Sequence, residues 1–103
     1  MVLYIDTTDF NKVTYAIKGA KLVRKTYAID PHQSHETLAK FEGFLKSAKI
    51  EHTDIKKIIV NKGPGSYTGT RVGVTHARGL GFAWNVPVAA LKKEIFEKTL
   101  KAA

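Results

Sequence analysis

The chain contains no cysteine, which excludes a disulfide scaffold and any thiolate metal site and suits a reducing compartment such as the cytosol. Carboxylates are scarce: nine Asp and Glu stand against 17 Lys and Arg, leaving a formal charge of +8 on 103 residues. From Ile55 to Lys93 there is no carboxylate at all, against seven basic residues, so no carboxylate general base can come from that stretch. A two-metal nuclease needs several acids around its ions; Asp6 would stand nearly alone, with Asn61 at the strand end where a second acid belongs. Long apolar runs are also missing. The longest uncharged stretch, Gly79 to Leu91, is interrupted by Asn85 and Pro87 and falls short of the ~20 residues a membrane span requires. Met1 to Asp9 carries two acids and no basic region, unlike a signal peptide. A cytoplasmic protein away from membranes is expected.

What is present reads as an ordinary globular domain: 44% apolar residues, ten aromatics and 25% charged residues. The length fits one domain, 1–103, and leaves no room for a second core. Its positive charge suggests an anionic partner, either RNA or an acidic protein surface.

Val2 to Asp6 is a short apolar run ending in Asp-Thr-Thr-Asp, a strand followed by a turn. Alternating runs at Lys12–Lys18 and Leu22–Ile29 predict a hairpin that continues a three-stranded antiparallel meander. Asp30-Pro31 ends it, and Ser34 is the expected N-cap of a helix reaching about Lys49. In that helix Leu38, Phe41, Phe44, Leu45 and Ala48 cover an apolar arc of roughly 120°. A buried strand at Lys57–Asn61, a glycine loop, a second helix from about Thr68 to Trp84, a strand at Val86–Ala90 and a charged helix at Leu91–Leu100 complete the pattern. This order is that of an α/β, ribonuclease-H-like domain. Right-handed crossovers place the Ile58 strand parallel to the Leu3 strand, which makes the Asp6-Thr7-Thr8 turn a neighbour of the glycine loop.

Asp6, Thr7, Gly63, Gly65, Ser66 and Thr68 would thus converge as a possible anion site beside a helix N-terminus. The loop matches neither the dinucleotide fingerprint nor a P-loop, and Pro64 lacks an N–H, so a purely structural turn is the competing reading. Ser66 has no nucleophile-elbow glycines around it. His32 and His35 have the spacing to share a metal but no third ligand, so neither a metal nor a cofactor is expected. The second helix says more. Gly73, Gly79 and Gly81 lie inside it, each about 1 kcal/mol worse than Ala there, and close packing must offset this. Gly69, Gly73, Ala77 and Gly81 form a small-residue stripe. Together with Arg71 and Arg78, and with Phe41 and Leu45 of the first helix, they are the expected interface with another chain. Cover by the domain's own first helix is the alternative.

Three segments then become recognisable: Val-Leu-Tyr-Ile-Asp-Thr-Thr at 2–8, the long motif Ile58 to Gly73, and Gly-Leu-Gly-Phe-Ala-Trp-Asn-Val-Pro-Val at 79–88. In order and spacing they resemble the N-terminal lobe of the TsaB (YeaZ) family. The resemblance implies an actin-like ATPase fold and a non-catalytic role in making threonylcarbamoyladenosine on tRNAs that read codons beginning with A. It further implies pairing, through the two long helices, with a TsaD-type subunit that carries the metal and transfers the threonylcarbamoyl group. A TsaE-type ATPase joins the bacterial assembly. Family members usually continue into a second lobe after the segment matching Leu91, which these 103 residues do not include, so either a shortened subunit or a fragment is expected; Leu91-Lys92-Lys93 stands where a hydroxyl pair usually opens the next helix. Homodimerisation through the same helices is a variant. A different class of function, a basic nucleic-acid-binding domain using Lys56, Lys57, Lys62, Arg71 and Arg78 on phosphates, is the alternative.

Overall fold

A computed structural model describes residues 1–30 and 35–102, with the side chains of His35, Glu36 and Leu38 left aside. Strands β1 (Val2–Asp6), β2 (Lys12–Lys18) and β3 (Leu22–Ala28) form the meander. Helix α1 (His35–Ala48), a 3₁₀ turn at His52–Asp54, strand β4 (Lys57–Asn61), helix α2 (Tyr67–Trp84), strand β5 (Val88–Leu91) and helix α3 (Lys93–Lys101) follow. The five strands form one sheet in the order β3-β2-β1-β4-β5. β1 runs antiparallel to β2 and parallel to β4, with Leu3 opposite Ile58 and Ile5 opposite Val60. The expected N-cap Ser34 and His32 lie outside the described residues.

Alternation along the strands divides the core in two. Leu3, Ile5, Val13, Tyr15, Ile17, Ile58 and Val60 face α1 and α2, where they meet Phe41, Phe44 and Ala77. Tyr4, Ala16 and Ile59 point the other way, onto Phe96 and Leu100 of α3. β4 is buried on both faces because it lies between two parallel neighbours, each face under a helix. Tyr15 is fully buried; its hydroxyl donates to the Thr37 carbonyl at 3.0 Å, and burial, helped by Tyr27, pushes its phenol well above the usual range. Lys18 ties down the end of α3 by donating to the carbonyls of Thr99, at 2.9 Å, and Ala102.

Two boundaries differ from expectation. The last strand starts at Val88, because the N–H groups of Asn85 and Val86 both donate to the Gly81 carbonyl and cap α2. Asn85 is left-handed there, with φ 54°, a conformation asparagine tolerates better than most residues. The last helix starts at Lys93, because Leu91 is still paired with Asn61 in the sheet.

Candidate functional site

The turn after β1 and the loop after β4 meet at one sheet edge, as parallel pairing requires. Asp6, Thr7, Gly63, Gly65, Ser66 and Thr68 are all found there. Their polar groups are largely engaged with one another. Asp6 Oδ1 accepts from the Thr8 N–H at 3.0 Å and the Thr8 hydroxyl at 2.7 Å. The Ser66 N–H donates to the Thr8 carbonyl at 2.7 Å, and the Gly63 N–H to Asn61 Oδ1 at 2.9 Å. Ser66 is the N-cap of α2, its Oγ accepting from the Gly69 N–H at 3.2 Å. Thr7 Oγ1 donates to the Gly69 carbonyl at 2.5 Å. Gly65 lies so close to Thr8 that a Cβ there would sit 2.5 Å from the Thr8 Cβ. Gly63 needs its φ of +93° to make the bend.

A phosphate cradle needs convergent free N–H groups; here those of Gly63, Ser66 and Gly69 are spent on the fold. The adjoining cleft of about 580 Å³ is lined by Thr7, Phe10, Ser66, Tyr67 and Val72 and carries Asp9 and Asp30, with no basic residue among the described ones. A polar cleft of about 220 Å³ on the α3 side joins Asp6, Asp9 and Glu97 to Lys12, Arg24 and Lys93. Among the described residues no group of three or more His, Cys, Asp and Glu is placed to hold a metal. Asn61 is fully buried at the end of β4, its Nδ2 without a partner among the described residues.

Helix α2 requires a correction to the expected interface. Gly73, Ala77 and Gly81 are buried inside the chain, facing the sheet rather than outward. A Cβ on Gly69 would strike the Thr7 carbonyl, one on Gly73 the Thr7 side chain, and one on Gly81 the Val88 side chain, each inside van der Waals range. The stripe exists so that α2 can lie against β1 and β5. Phe41 is likewise internal, stacked on Trp84 at 6.1 Å and edge-on to His76 at 5.0 Å, and Leu45 packs against the same core. Arg71 and Arg78 are exposed.

What the sequence concealed is the outer side of α2. Phe82 is 92% exposed and Tyr67 75%, on the same side as Arg71, Thr75 and Arg78. The signal was the spacing of Phe82, four residues after Arg78 and eleven after Arg71, which puts it on the same side of the helix as both arginines. The Arg71 guanidinium donates to the Tyr67 hydroxyl at 2.7 Å and lies 5.1 Å from the ring centre. The five cations of the nucleic-acid alternative do not form one patch. Lys56 and Lys57 sit where β4 begins, Lys62 where it ends, and the two arginines lie on α2.

His76 of α2, edge-on to Phe41, has both ring nitrogens buried without a partner among the described residues, and desolvation lowers its pKa below the usual 6.5. The unfolded chain therefore takes up this proton first as pH falls below 6.5, and stability drops in that range while it is constant above. The melting temperature should fall between pH 7.5 and pH 5.5, roughly one unit either side of the unfolded value. His76→Phe should flatten that slope; an equal slope in both proteins would assign it to other groups.

No helix among the described residues is long and apolar enough to cross a membrane. A sequence profile of the family described as "TsaD: tRNA N6-adenosine threonylcarbamoyltransferase" matches residues 28–93. The chain is similar to the tRNA threonylcarbamoyladenosine biosynthesis protein TsaB of Bacillus subtilis, 32% identical over 92 residues, covering 87% of this chain and 40% of that protein. Its fold superposes on YeaZ from Pseudomonas aeruginosa with a TM-score of 0.77 at 25% identity, covering 88% of this chain and 44% of that one. Thermus thermophilus RuvC, solved with a Holliday junction substrate, is similar in fold alone: TM-score 0.64 at 13% identity, covering 98% of this chain and 69% of that one. The chain thus spans less than half the length of its two TsaB-type relatives.

Proposed function

Because the chain belongs to the TsaD-type family, on its TsaB (YeaZ) side, we propose that it is a non-catalytic subunit in tRNA threonylcarbamoyladenosine biosynthesis. It docks on a TsaD-type partner through α1 and α2 and stabilises that partner's active form. The observation that carries this reading is the outer side of α2, where Phe82 is 92% exposed on a helix whose inner side is already packed. A large aromatic left in water on a rigid helix fits a surface that a second protein covers.

The sheet edge supports the non-catalytic half of the proposal. Asp6 accepts from Thr8, the N–H groups of Gly63 and Ser66 are spent on the fold, and Ser66 caps a helix. A TsaE-type ATPase would act on the assembled pair, and any tRNA contact would come through it. Size-exclusion chromatography of the co-expressed chain and its cognate TsaD-type protein tests the proposal: one co-eluting peak is expected, and two separate peaks of well-folded proteins would reject it.

A further inference from the structure

The sheet has two end strands, and only one of them is charged: β3 carries Arg24 and Lys25, whereas β5 carries nothing ionised or polar. The four residues of β5, Val88-Ala89-Ala90-Leu91, are all part-buried. Val88 and Ala90 pack with the core under α2, and Ala89 and Leu91 with the core under α3. No side chain of this strand holds off another strand by charge.

Hydrogen bonds fix which main-chain groups of β5 point outward. The Ile58 N–H donates to the Pro87 carbonyl and the Lys62 N–H to the Leu91 carbonyl, both at 2.9 Å. Successive residues of a paired strand turn their N–H and C=O groups to opposite sides, so Pro87, Ala89 and Leu91 face β4. Those of Val88 and Ala90 consequently face the outer edge, where no strand pairs with them among the described residues. Pro87, which has no N–H, belongs to the inward set, so the outer edge loses no donor to it.

A two-fold axis beside Ala89 matches this edge to itself. Val88 then lies opposite the partner's Ala90 and Ala90 opposite the partner's Val88, each pair exchanging both of its hydrogen bonds. Ala89 meets the partner's Ala89 at the closer spacing of about 4.5 Å between Cα atoms, where a small side chain fits. The helices leave room for this. α2 packs on β1, β4 and β5 and is thus centred over β4. The two copies of α2 would lie three strand spacings apart, about 14 Å, beyond the roughly 8–10 Å of helices in contact. Lys92 and the partner's Lys92, each three residues from the axis, would be about 20 Å apart, more than twice the screening length at physiological salt. A foreign strand would be selected through charged side chains, which β5 lacks; a second copy needs only the axis.

We propose that this end of the sheet pairs with a second copy of the chain, β5 against β5 and antiparallel, about a two-fold axis at Ala89. The seam is separate from the helix pairing proposed above and requires no other protein.

Sedimentation equilibrium of the full chain at physiological salt tests it. The weight-average mass should rise from 11.4 kDa toward twice that value between about 10 μM and about 1 mM, as for a small interface of modest affinity. Over the same range, hydrogen exchange at the Val88 and Ala90 amides should slow by about threefold or more, while Ala89 and Leu91, whose N–H groups face β4, keep their rates. Ala89→Lys sets two like charges across the axis and should hold the chain monomeric throughout. Thr26→Lys, which adds the same charge to β3, should leave the dimer dissociation constant within about twofold. Ala90→Pro deletes an outward N–H that β4 does not use and should also give a monomer, which keeps the test decisive if Ala89→Lys fails to fold. A wild type still monomeric at about 1 mM, a dimer that survives in either folded β5 variant, or a dimer with no added protection at Val88 and Ala90 overturns the inference. Each of these results leaves the TsaD-type pairing to its own co-elution test.

Discussion

Gly73→Leu is expected to leave the isolated chain unfolded. Gly73 is buried over Thr7, whose Oγ1, Cβ and Cγ2 would all lie within 3.2 Å of the new Cβ. Thr7 cannot turn aside freely, because it is 2% exposed and its hydroxyl bonds the Gly69 carbonyl. Even Gly73→Ala should destabilise by about 2 kcal/mol or more through overpacking, against the ~1 kcal/mol that alanine gains in an open helix. Thermal melts followed by circular dichroism check this, and the cycle with Thr7→Ala locates the cause: removing the Thr7 hydroxyl and methyl should recover most of the loss. Gly73→Ala melting with the wild type would mean that α2 stands further from β1 than described.

The next largest effect belongs to Phe44. It is fully buried and stacks on Tyr15 at 5.8 Å, where α1 closes over β2. Phe44→Ala removes a ring that nothing nearby can replace, at about 3–5 kcal/mol. A chain of 103 residues has on the order of 5–15 kcal/mol in total. A melting temperature lowered by about 15 °C or more should result. Leu45→Ala, at a part-buried position on the same helix, should have a smaller effect, and equal losses would show that α1 is not seated through Phe44.

The element order was legible because each segment states its period clearly. Lys12–Lys18 alternates, α1 repeats at helical spacing, and Ile58-Ile59-Val60 is apolar on both faces. Parallel pairing of β1 with β4 followed from handedness, and with it the meeting of Asp6 and Thr7 with the glycine loop. Which side of α2 faces inward was not legible. Glycine on a helix marks a close approach without saying to what, and here the approach is to Thr7 and Val88 of the same chain. Phe82 breaks the usual correlation of apolar with buried, and only its helical spacing from Arg71 and Arg78 marks it as outward. Ser66, weighed as a ligand or nucleophile, proves to be a cap, since its role depends on a hydrogen bond to Gly69 that composition cannot reveal.

β3 is the end strand of the sheet, and six of its seven residues are exposed, Tyr27 being the part-buried one, so it presents the kind of edge to which another strand adds. Leu22 and Val23 make that margin adhesive, whereas Arg24 and Lys25 beside them charge it. Charge on an exposed end strand opposes its pairing with the edge of another sheet.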